Sequence, residues 1–488
     1  MRVLLVQPDQ NRTTGLQQLA RVEPLGLEMI AGALWSRHEV ALLDLRLEPD
    51  ALTETLAAFQ PHLIGISATF TIDIYRALEI ASAVKAADSR TFVFVGGHHP
   101  SLRPEDFSHP AVDAIVVGEG ELTASELADT VAAEGDLGSV RGLVLNQSQG
   151  QHFTGHRPLL KDLDALPHPV RVLNPTCRQE YYAIIIRPIA LVETARGCPH
   201  RCRFCSVWPF HRGLVRYKSP ERVVREVAAL EQPHVLFTDD NFLTNGKRAG
   251  EIARLIRERG IEKRYSLEAR SDDIVRHPEV IRRWKEVGLD HVFIGFERPD
   301  QSGLDAINKH NSVKNNEKAL DILRSSGIEP NPSFIASPND SRADFEALRA
   351  YIRRLGLKFP FFSVLTPLPG SALFAEMKDS LTTANYELFD LAHAVMPTRL
   401  PPAEFYQEFA KLWRDAYPFW KLGLFRLAMA LRDLRPGGGG WIFSQKALTD
   451  IQQHGDARIY LQGLSQASDL FIAECVNRVQ PGSAVGGI

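Results

Sequence analysis

Cys198, Cys202 and Cys205 fall within eight consecutive residues of this 488-residue chain, in the segment ARGCPHRCRFCSVW. The spacing is C-x3-C-x2-C, and thiolates so arranged can hold a metal centre between them. Zinc ordinarily takes four ligands, so a zinc site here would need His200 or His211 as the fourth. A [4Fe–4S] cluster ordinarily takes four thiolates. With only three, one iron keeps an open coordination position, which the amino and carboxylate groups of S-adenosylmethionine can chelate. An electron from the cluster then cleaves the sulfonium and yields a 5′-deoxyadenosyl radical. Phe204, just before the third cysteine, can border an adenine ring, and Gly197 relaxes the backbone at the start of the loop.

The elements that must position this loop alternate between strands and helices. In residues 1–155 the apolar runs Val3–Val6, Ala41–Leu45, Leu63–Ser67, Phe92–Val95 and Ala114–Val117 read as strands. Helical periodicity over Leu25–Trp35, Ala51–Phe59, Ile72–Ala86 and Leu122–Ala133 separates and follows them. Continuous apolar strands between helices predict a flavodoxin-like, doubly wound parallel sheet. Such sheets bind ligands at the strands' carboxyl ends. Ser67-Ala68-Thr69, Gly96-Gly97-His98 and Gly118-Glu119-Gly120 lie there, so Ser67, Thr69, Gly96, Gly97, His98, Gly118, Glu119 and Gly120 are candidate cofactor-facing residues.

Residues 156–185, rich in proline and without a sustained period, read as a linker. Across 186–400 six further strands are expected: Ala190–Thr194, Val235–Thr238, Tyr265–Ala269, His291–Phe296, Asn331–Ala336 and Phe361–Leu365. With their intervening helices they predict a partial (β/α)6 barrel, whose site lies at the strands' carboxyl ends. The cysteine loop, Asp239-Asp240-Asn241, Glu268, Arg270 and Glu297 all fall at those ends. Residues 401–488 read as a helical C-terminal region with a glycine run at 437–440.

Composition bounds the function. Lys+Arg 56 against Asp+Glu 59 leaves a net charge of −3, which argues against nucleic acid as the partner. No stretch approaches the ~20 apolar residues of a membrane span, and the N-terminus lacks the features of a secretory signal. Five cysteines make no disulfide framework, so a cytoplasmic location is expected, and Cys177 and Cys475 read as ordinary thiols. The segment Phe419–Leu434 is apolar with interspersed Lys421, Arg426 and Arg432. It reads as a helix packed on the barrel, or as a peripheral membrane contact that would admit a lipid substrate.

The motif Cys198-x3-Cys202-x-Phe204-Cys205 resembles the signature of the radical SAM superfamily. The resemblance implies that the three cysteines ligate a [4Fe–4S] cluster, and that Asp239 and Asp240 follow the second barrel strand where S-adenosylmethionine is contacted. It assigns Glu268, Arg270 and Glu297 to later S-adenosylmethionine-contacting strand ends. A flavodoxin-like sheet ahead of the barrel resembles the cobalamin-binding subclass. The segment Pro8 to Gly15 contains no histidine, so cobalt would be bound without a histidine from below. Within the subclass, RVEPLGLE (21–28), FVFVGGH (92–98), GCPHRCRFCSVWPF (197–210), SLEARSD (266–272), TPLPGS (366–371) and LFDLAHAVMPTRLPPAEFY (388–406) resemble hopanoid C-3 methylases and their relatives.

That resemblance implies a cobalamin-dependent C-methyltransferase acting on an unactivated carbon through the 5′-deoxyadenosyl radical and methylcobalamin. The substrate would be a hopanoid, another lipid or a natural product, and the reductant a flavodoxin or ferredoxin. His393, Pro397 and Arg399 would line the substrate cavity or pack the barrel. Two other enzyme readings share the motif: a radical lyase such as a diol dehydratase acting on a sugar or aminoglycoside, and a radical oxidative cyclase. A cobalamin-carrying module with a structural cysteine loop is the non-enzymatic alternative.

Overall fold

A computed structural model describes residues 1–9, 19–173, 176–184, 186–424, 427 and 441–466. Residues 10–18, the glycine run at 437–440, Cys475 and most of 425–434 lie outside these. In the N-terminal part, β1 (Arg2–Gln7), β2 (Glu39–Asp44), β3 (Leu63–Ser67), β4 (Phe92–Gly96) and β5 (Ala114–Val116) pair in parallel in the order β2-β1-β3-β4-β5. This is the flavodoxin-like order. Successive side chains of β1 explain it. Leu4 and Val6 enter one apolar core and Val3 and Leu5 the other, so both faces are covered by helices. Each such burial stabilises by ~1.5–3 kcal/mol. Gly65 lets the sheet close, because a Cβ there would lie 2.3 Å from the Phe94 ring.

Two strands extend the sheet beyond the five expected. β6 (Leu143–Gln147) and β7 (Gly150–Phe153) form an antiparallel hairpin on the β5 edge. Their short, half-exposed pattern carries little apolar periodicity. The stretch expected as a linker is held at several points. Leu163 and Leu166 pack on Met29, and Tyr182–Ala183 pairs with Ala20–Arg21. Buried Arg178 and partly buried Arg171 pair with Glu23 and Glu28, while Arg171 also reaches Glu226 on the barrel.

The second sheet is parallel and open, in the order β8 (Ile189–Val192), β9 (His234–Phe237), β10 (Arg264–Glu268), β11 (Leu289–Glu297), β12 (Glu329–Ala336) and β13 (Phe361–Val364). Val235, Phe237, Tyr265, Leu267, Val292, Ile294 and Phe296 join the apolar core beneath the helices. Their alternates Leu236, Ser266, Glu268, Phe293 and Gly295 face the lumen and are less buried. The helix Pro402–Ala416 covers the barrel flank, stacking Phe405 edge-on against Phe345 at 5.6 Å. Helices Trp441–His454 and Ala457–Gln466 pack on it, with Tyr460 stacked on Tyr406 at 5.4 Å.

His393 belongs to this packing and does not line a cavity. Fully buried, it lies 2.9 Å from Asp390 through Nδ1 and 3.2 Å from the Tyr460 carbonyl through Nε2. Pro397 and Arg399 are exposed.

Candidate active site

The cysteine loop is a closed unit on a short stem. Ala195–Arg196 pairs antiparallel with Arg216–Tyr217. At the neck Gly197 takes φ 92°, and a Cβ there would lie 2.2 Å from the Leu214 carbonyl oxygen. Only glycine allows this closure without strain. All three cysteines are free thiols, Cys202 buried and the others partly buried. The Cys205 N–H donates to the Cys202 carbonyl at 3.1 Å, and the Val207 N–H donates to Cys205 Sγ at 3.4 Å. Burial pushes the Cys198 thiol up to about 11 and the Cys205 thiol up to about 12, so metal binding must drive their deprotonation.

The donor set fits an iron–sulfur cluster better than a single zinc. A cluster spreads its thiolates over different irons. Positive charge also faces the sulfurs. Arg270 Nη1 lies 4.0 Å from Cys202 Sγ, and the buried Lys309 ammonium is stabilised by Glu297 and then by Cys202. Cys198, Cys202 and Cys205 are the thiols that would hold such a cluster.

The carboxylates around the loop have divided roles. Asp239 is buried and spent on the backbone. Its Oδ1 accepts the Thr194 N–H at 2.6 Å and the Ala195 N–H at 3.0 Å, while Oδ2 accepts the Thr194 hydroxyl. It thus pins the loop's stem and has no free oxygen turned to a cofactor. Asp240 accepts the Gly197 N–H, and burial followed by Asp239 raises its pKa to about 6. Glu268 is surrounded by protein yet exposed to the lumen. That crowding, followed by the Asp240 charge, holds its carboxyl above the ordinary range. Asp240 thus lies next to Cys198 and to Glu268, and both carboxyls are held above the ordinary range. Phe204 is partly buried at the loop's turn.

Arg270 and Glu297 are engaged within the protein. The Arg270 guanidinium donates to Asp272 at 3.0 Å and to the Lys309 carbonyl at 2.8 Å. Glu297 has φ 59° and accepts from Lys309 Nζ at 2.5 Å. Lys309 was not singled out from the sequence. Its signal is faint: Asn308 and His310 flank it at φ 55° and 49°, and the Asn308 side chain donates to the Arg201 carbonyl, folding this turn onto the cysteine loop.

The N-terminal rim faces the same region. The Ser67 and Thr69 hydroxyls share a hydrogen bond of 3.2 Å. The Ser101 hydroxyl donates to the Gly97 carbonyl at 2.6 Å and accepts the Gly118 N–H at 2.9 Å, knitting two turns together. A Cβ at Gly97 would lie 2.8 Å from the Ala68 oxygen, whereas one at Gly118 would meet open space. Gly96 and Gly120 complete a shelf of bare backbone beside exposed Thr69 and Phe70. Such a shelf fits the amide-fringed face of a corrin.

Glu119 and His98 turn away from that shelf. Glu119 pairs with Arg196 at 2.9 Å and with Arg216 at 2.7 Å, one arginine from each side of the loop's stem. The His98 Nε2 lies 2.8 Å from Ser206 Oγ, and its ring stacks on Phe210 at 4.8 Å. Burial lowers the His98 pKa to about 4, so it is neutral. Both are bridges between the two sheets. Neither Arg196 nor Arg216 was legible as a partner.

Comparison with known proteins finds two families along the chain. Residues 17–128 match the B12 binding domain family and residues 192–352 the radical SAM superfamily. The chain is 34% identical over 424 residues to hopanoid C-3 methylase of Methylococcus capsulatus, covering 86% of this chain and 80% of that one. It is 26% identical to the anaerobic magnesium-protoporphyrin IX monomethyl ester cyclase of Rubrivivax gelatinosus, over 81% and 73% of the two chains. In fold it is similar to the radical S-adenosylmethionine methyltransferase TsrM from Kitasatospora setae, with a TM-score of 0.69 at 17% identity over 93% of this chain and 99% of that one. It is similar to the radical enzyme OxsB with the same TM-score of 0.69, at 16% identity over 95% and 75%. The chain belongs to the cobalamin-binding radical SAM superfamily. More particularly it is a cobalamin-dependent radical SAM methyltransferase, with a [4Fe–4S] cluster, S-adenosylmethionine and cobalamin as its cofactors.

Proposed function

We propose that this enzyme methylates an unactivated carbon of a hopanoid or similar apolar substrate, held between the cobalamin shelf and the barrel mouth. Bound together, the three cofactors supply removal of a hydrogen atom from carbon and a methyl group to replace it. Such a carbon has no acidic proton, so no general base is required of the protein. The chain's own residues position and enclose. Cys198, Cys202 and Cys205 would hold the cluster, and Asp240 and Glu268 would meet the amino group of S-adenosylmethionine. Asp239 fixes the loop's stem, Gly97 lets its turn pass close to the Ala68 carbonyl, and Gly118 leaves open space for the corrin. The contacts of His98 and Glu119 with the cysteine loop would help keep solvent from the reacting carbon.

The observation that carries this reading is the direct contact between the cobalamin-side turn and the cluster loop, His98 Nε2 to Ser206 Oγ at 2.8 Å. Methyl transfer needs both cofactors close to one substrate carbon. The test is anaerobic turnover of the reconstituted enzyme with a hopanoid, S-adenosylmethionine and a reductant. Formation of methylated product with both S-adenosylhomocysteine and 5′-deoxyadenosine is expected. Product without both rejects methyl transfer, and 5′-deoxyadenosine alone with an oxidised product favours the cyclase chemistry named for the Rubrivivax relative.

The apolar substrate suggests where the protein works. No helix of the described residues is long and apolar enough to cross a membrane. Yet Phe419, Trp420, Leu424 and Leu427 are 78%, 68%, 61% and 57% exposed, while Leu422 between them is buried. An outward apolar face bearing tryptophan suits a bilayer surface. Phe419→Ser with Trp420→Ser is expected to reduce sedimentation with phosphatidylcholine–phosphatidylglycerol vesicles. Unchanged sedimentation rejects the contact. A flavodoxin or ferredoxin is the proposed reductant, tested by replacing the chemical reductant with either carrier.

A further inference from the structure

We infer that His98 and Glu119 are positioning residues that transmit cobalamin occupancy of the N-terminal shelf to the cluster loop; the inference rests on the cobalamin reading above. Each belongs to a turn that shapes the shelf, and each spends its side chain on the cysteine loop. The two attachments grip the loop at different places. Glu119 joins both sides of the stem at once, through Arg196 two residues before Cys198 and through Arg216 on the returning strand. Its second oxygen accepts the Leu160 N–H at 3.0 Å, which fixes the carboxylate from the linker side. Glu121 adds a further ion pair to Arg196.

His98 holds the loop beyond the cysteines, at Ser206, the residue following Cys205. Its ring lies on Phe210, which meets His211 edge-on at 4.8 Å, and His211 Nδ1 lies 3.0 Å from Arg216. The two attachments therefore converge on one arginine. The loop has little freedom to relax against them, because Gly197 is closed against Leu214. Ser101 ties the Gly97 and Gly118 turns to one another, so a ligand that orders one orders both. Buried ion pairs and a packed ring stack are stiff connections, and ordering at the shelf must appear at the loop.

The experiment is amide hydrogen exchange on the full-length, cluster-reconstituted protein, with and without hydroxocobalamin. In the unsubstituted protein exchange should slow about fivefold or more in both 92–120 and 195–217. In His98→Ala and in Glu119→Gln, slowing should persist in 92–120 and disappear in 195–217. His98→Gln, which keeps a hydrogen-bonding group near Ser206, should recover part of the effect. Ser206→Ala removes the same bond from the loop side and should behave as His98→Ala does. Thermal unfolding of each variant separates a lost connection from a lost fold. Equal slowing of 195–217 in the folded variants, or slowing confined to 92–120 in the unsubstituted protein, overturns the inference alone. Absence of slowing in 92–120 of the unsubstituted protein overturns the cobalamin reading with it.

Discussion

The Lys309–Glu297 ion pair, 2.5 Å from Nζ to Oε1, occupies the volume that a side chain at position 295 would fill. A Cβ on Gly295 would lie 2.1 Å from the Glu297 oxygen and 2.6 Å from the Lys309 nitrogen. The glycine thus makes room in the lumen for a buried charge pair whose cation faces Cys202. Gly295→Ala is expected to cost ~1–3 kcal/mol in urea unfolding by overpacking this site. Lys309→Met combined with Glu297→Gln, which removes the pair without leaving a lone charge, should shift the cluster's reduction potential to more negative values. The scale is ~59 mV per 1.4 kcal/mol of lost charge stabilisation for a one-electron couple. Potentiometric EPR titration reads it, and an unchanged potential contradicts the electrostatic role.

Asp239→Asn tests the pin on the cysteine loop. One carboxylate oxygen accepts the Thr194 and Ala195 N–H groups and the other accepts the Thr194 hydroxyl; an Asn oxygen keeps the two N–H groups, but its NH2 replaces the acceptor of the hydroxyl proton and the negative charge is lost. The expected loss is about 3 kcal/mol, together with reduced iron and sulfide content after anaerobic reconstitution. Full cluster content in this variant would show that the stem does not depend on the pin.

Gly197→Ala attacks the same loop at its neck. The residue combines φ 92° with a prospective Cβ contact of 2.2 Å to a backbone oxygen, which no side-chain adjustment relieves. Iron incorporation should fall well below one cluster per chain while the N-terminal domain still binds hydroxocobalamin, as read by its visible spectrum.

The C-terminal helices carry a pH dependence. His454 is buried, stacked on Trp413 at 4.9 Å, with Nδ1 2.9 Å from the Tyr460 hydroxyl. Burial lowers its pKa from 6.5 to about 4. Between those values the unfolded chain binds the proton and the folded chain does not, so stability falls as pH drops through this window. The contribution is complete above pH 6.5 and amounts to at most about 3 kcal/mol. Asp390 does not oppose it there. Burial alone would raise its pKa, but His393 and two N–H groups hold it below the usual carboxylate range. Urea midpoints at neutral and mildly acidic pH should differ less for His454→Phe than for the unsubstituted protein.

The N-terminal strands were readable because their apolar runs are buried on both faces, and the barrel strands because apolar residues alternate along one face, patterns that survive without tertiary knowledge. The β6–β7 hairpin escaped because an edge hairpin leaves half its residues in solvent. Among the candidate site residues, the cysteines, Asp240 and Glu268 lie at or just after strand ends of the second sheet. Glu119 and Arg270 were legible as polar residues at strand ends, yet not in their roles. The partners of Glu119 lie 77 and 97 residues away in sequence.

By itself, the sequence determined the metal chemistry and the two-sheet plan. Three thiols within eight residues define a ligand set locally, and hydrophobic periodicity is likewise a local property. Only the tertiary structure decided which charged groups stay open to cofactors and which are consumed by the protein. A carboxylate's role depends on the cation or N–H that reaches it in three dimensions, and burial makes an unmet pairing too costly to leave open.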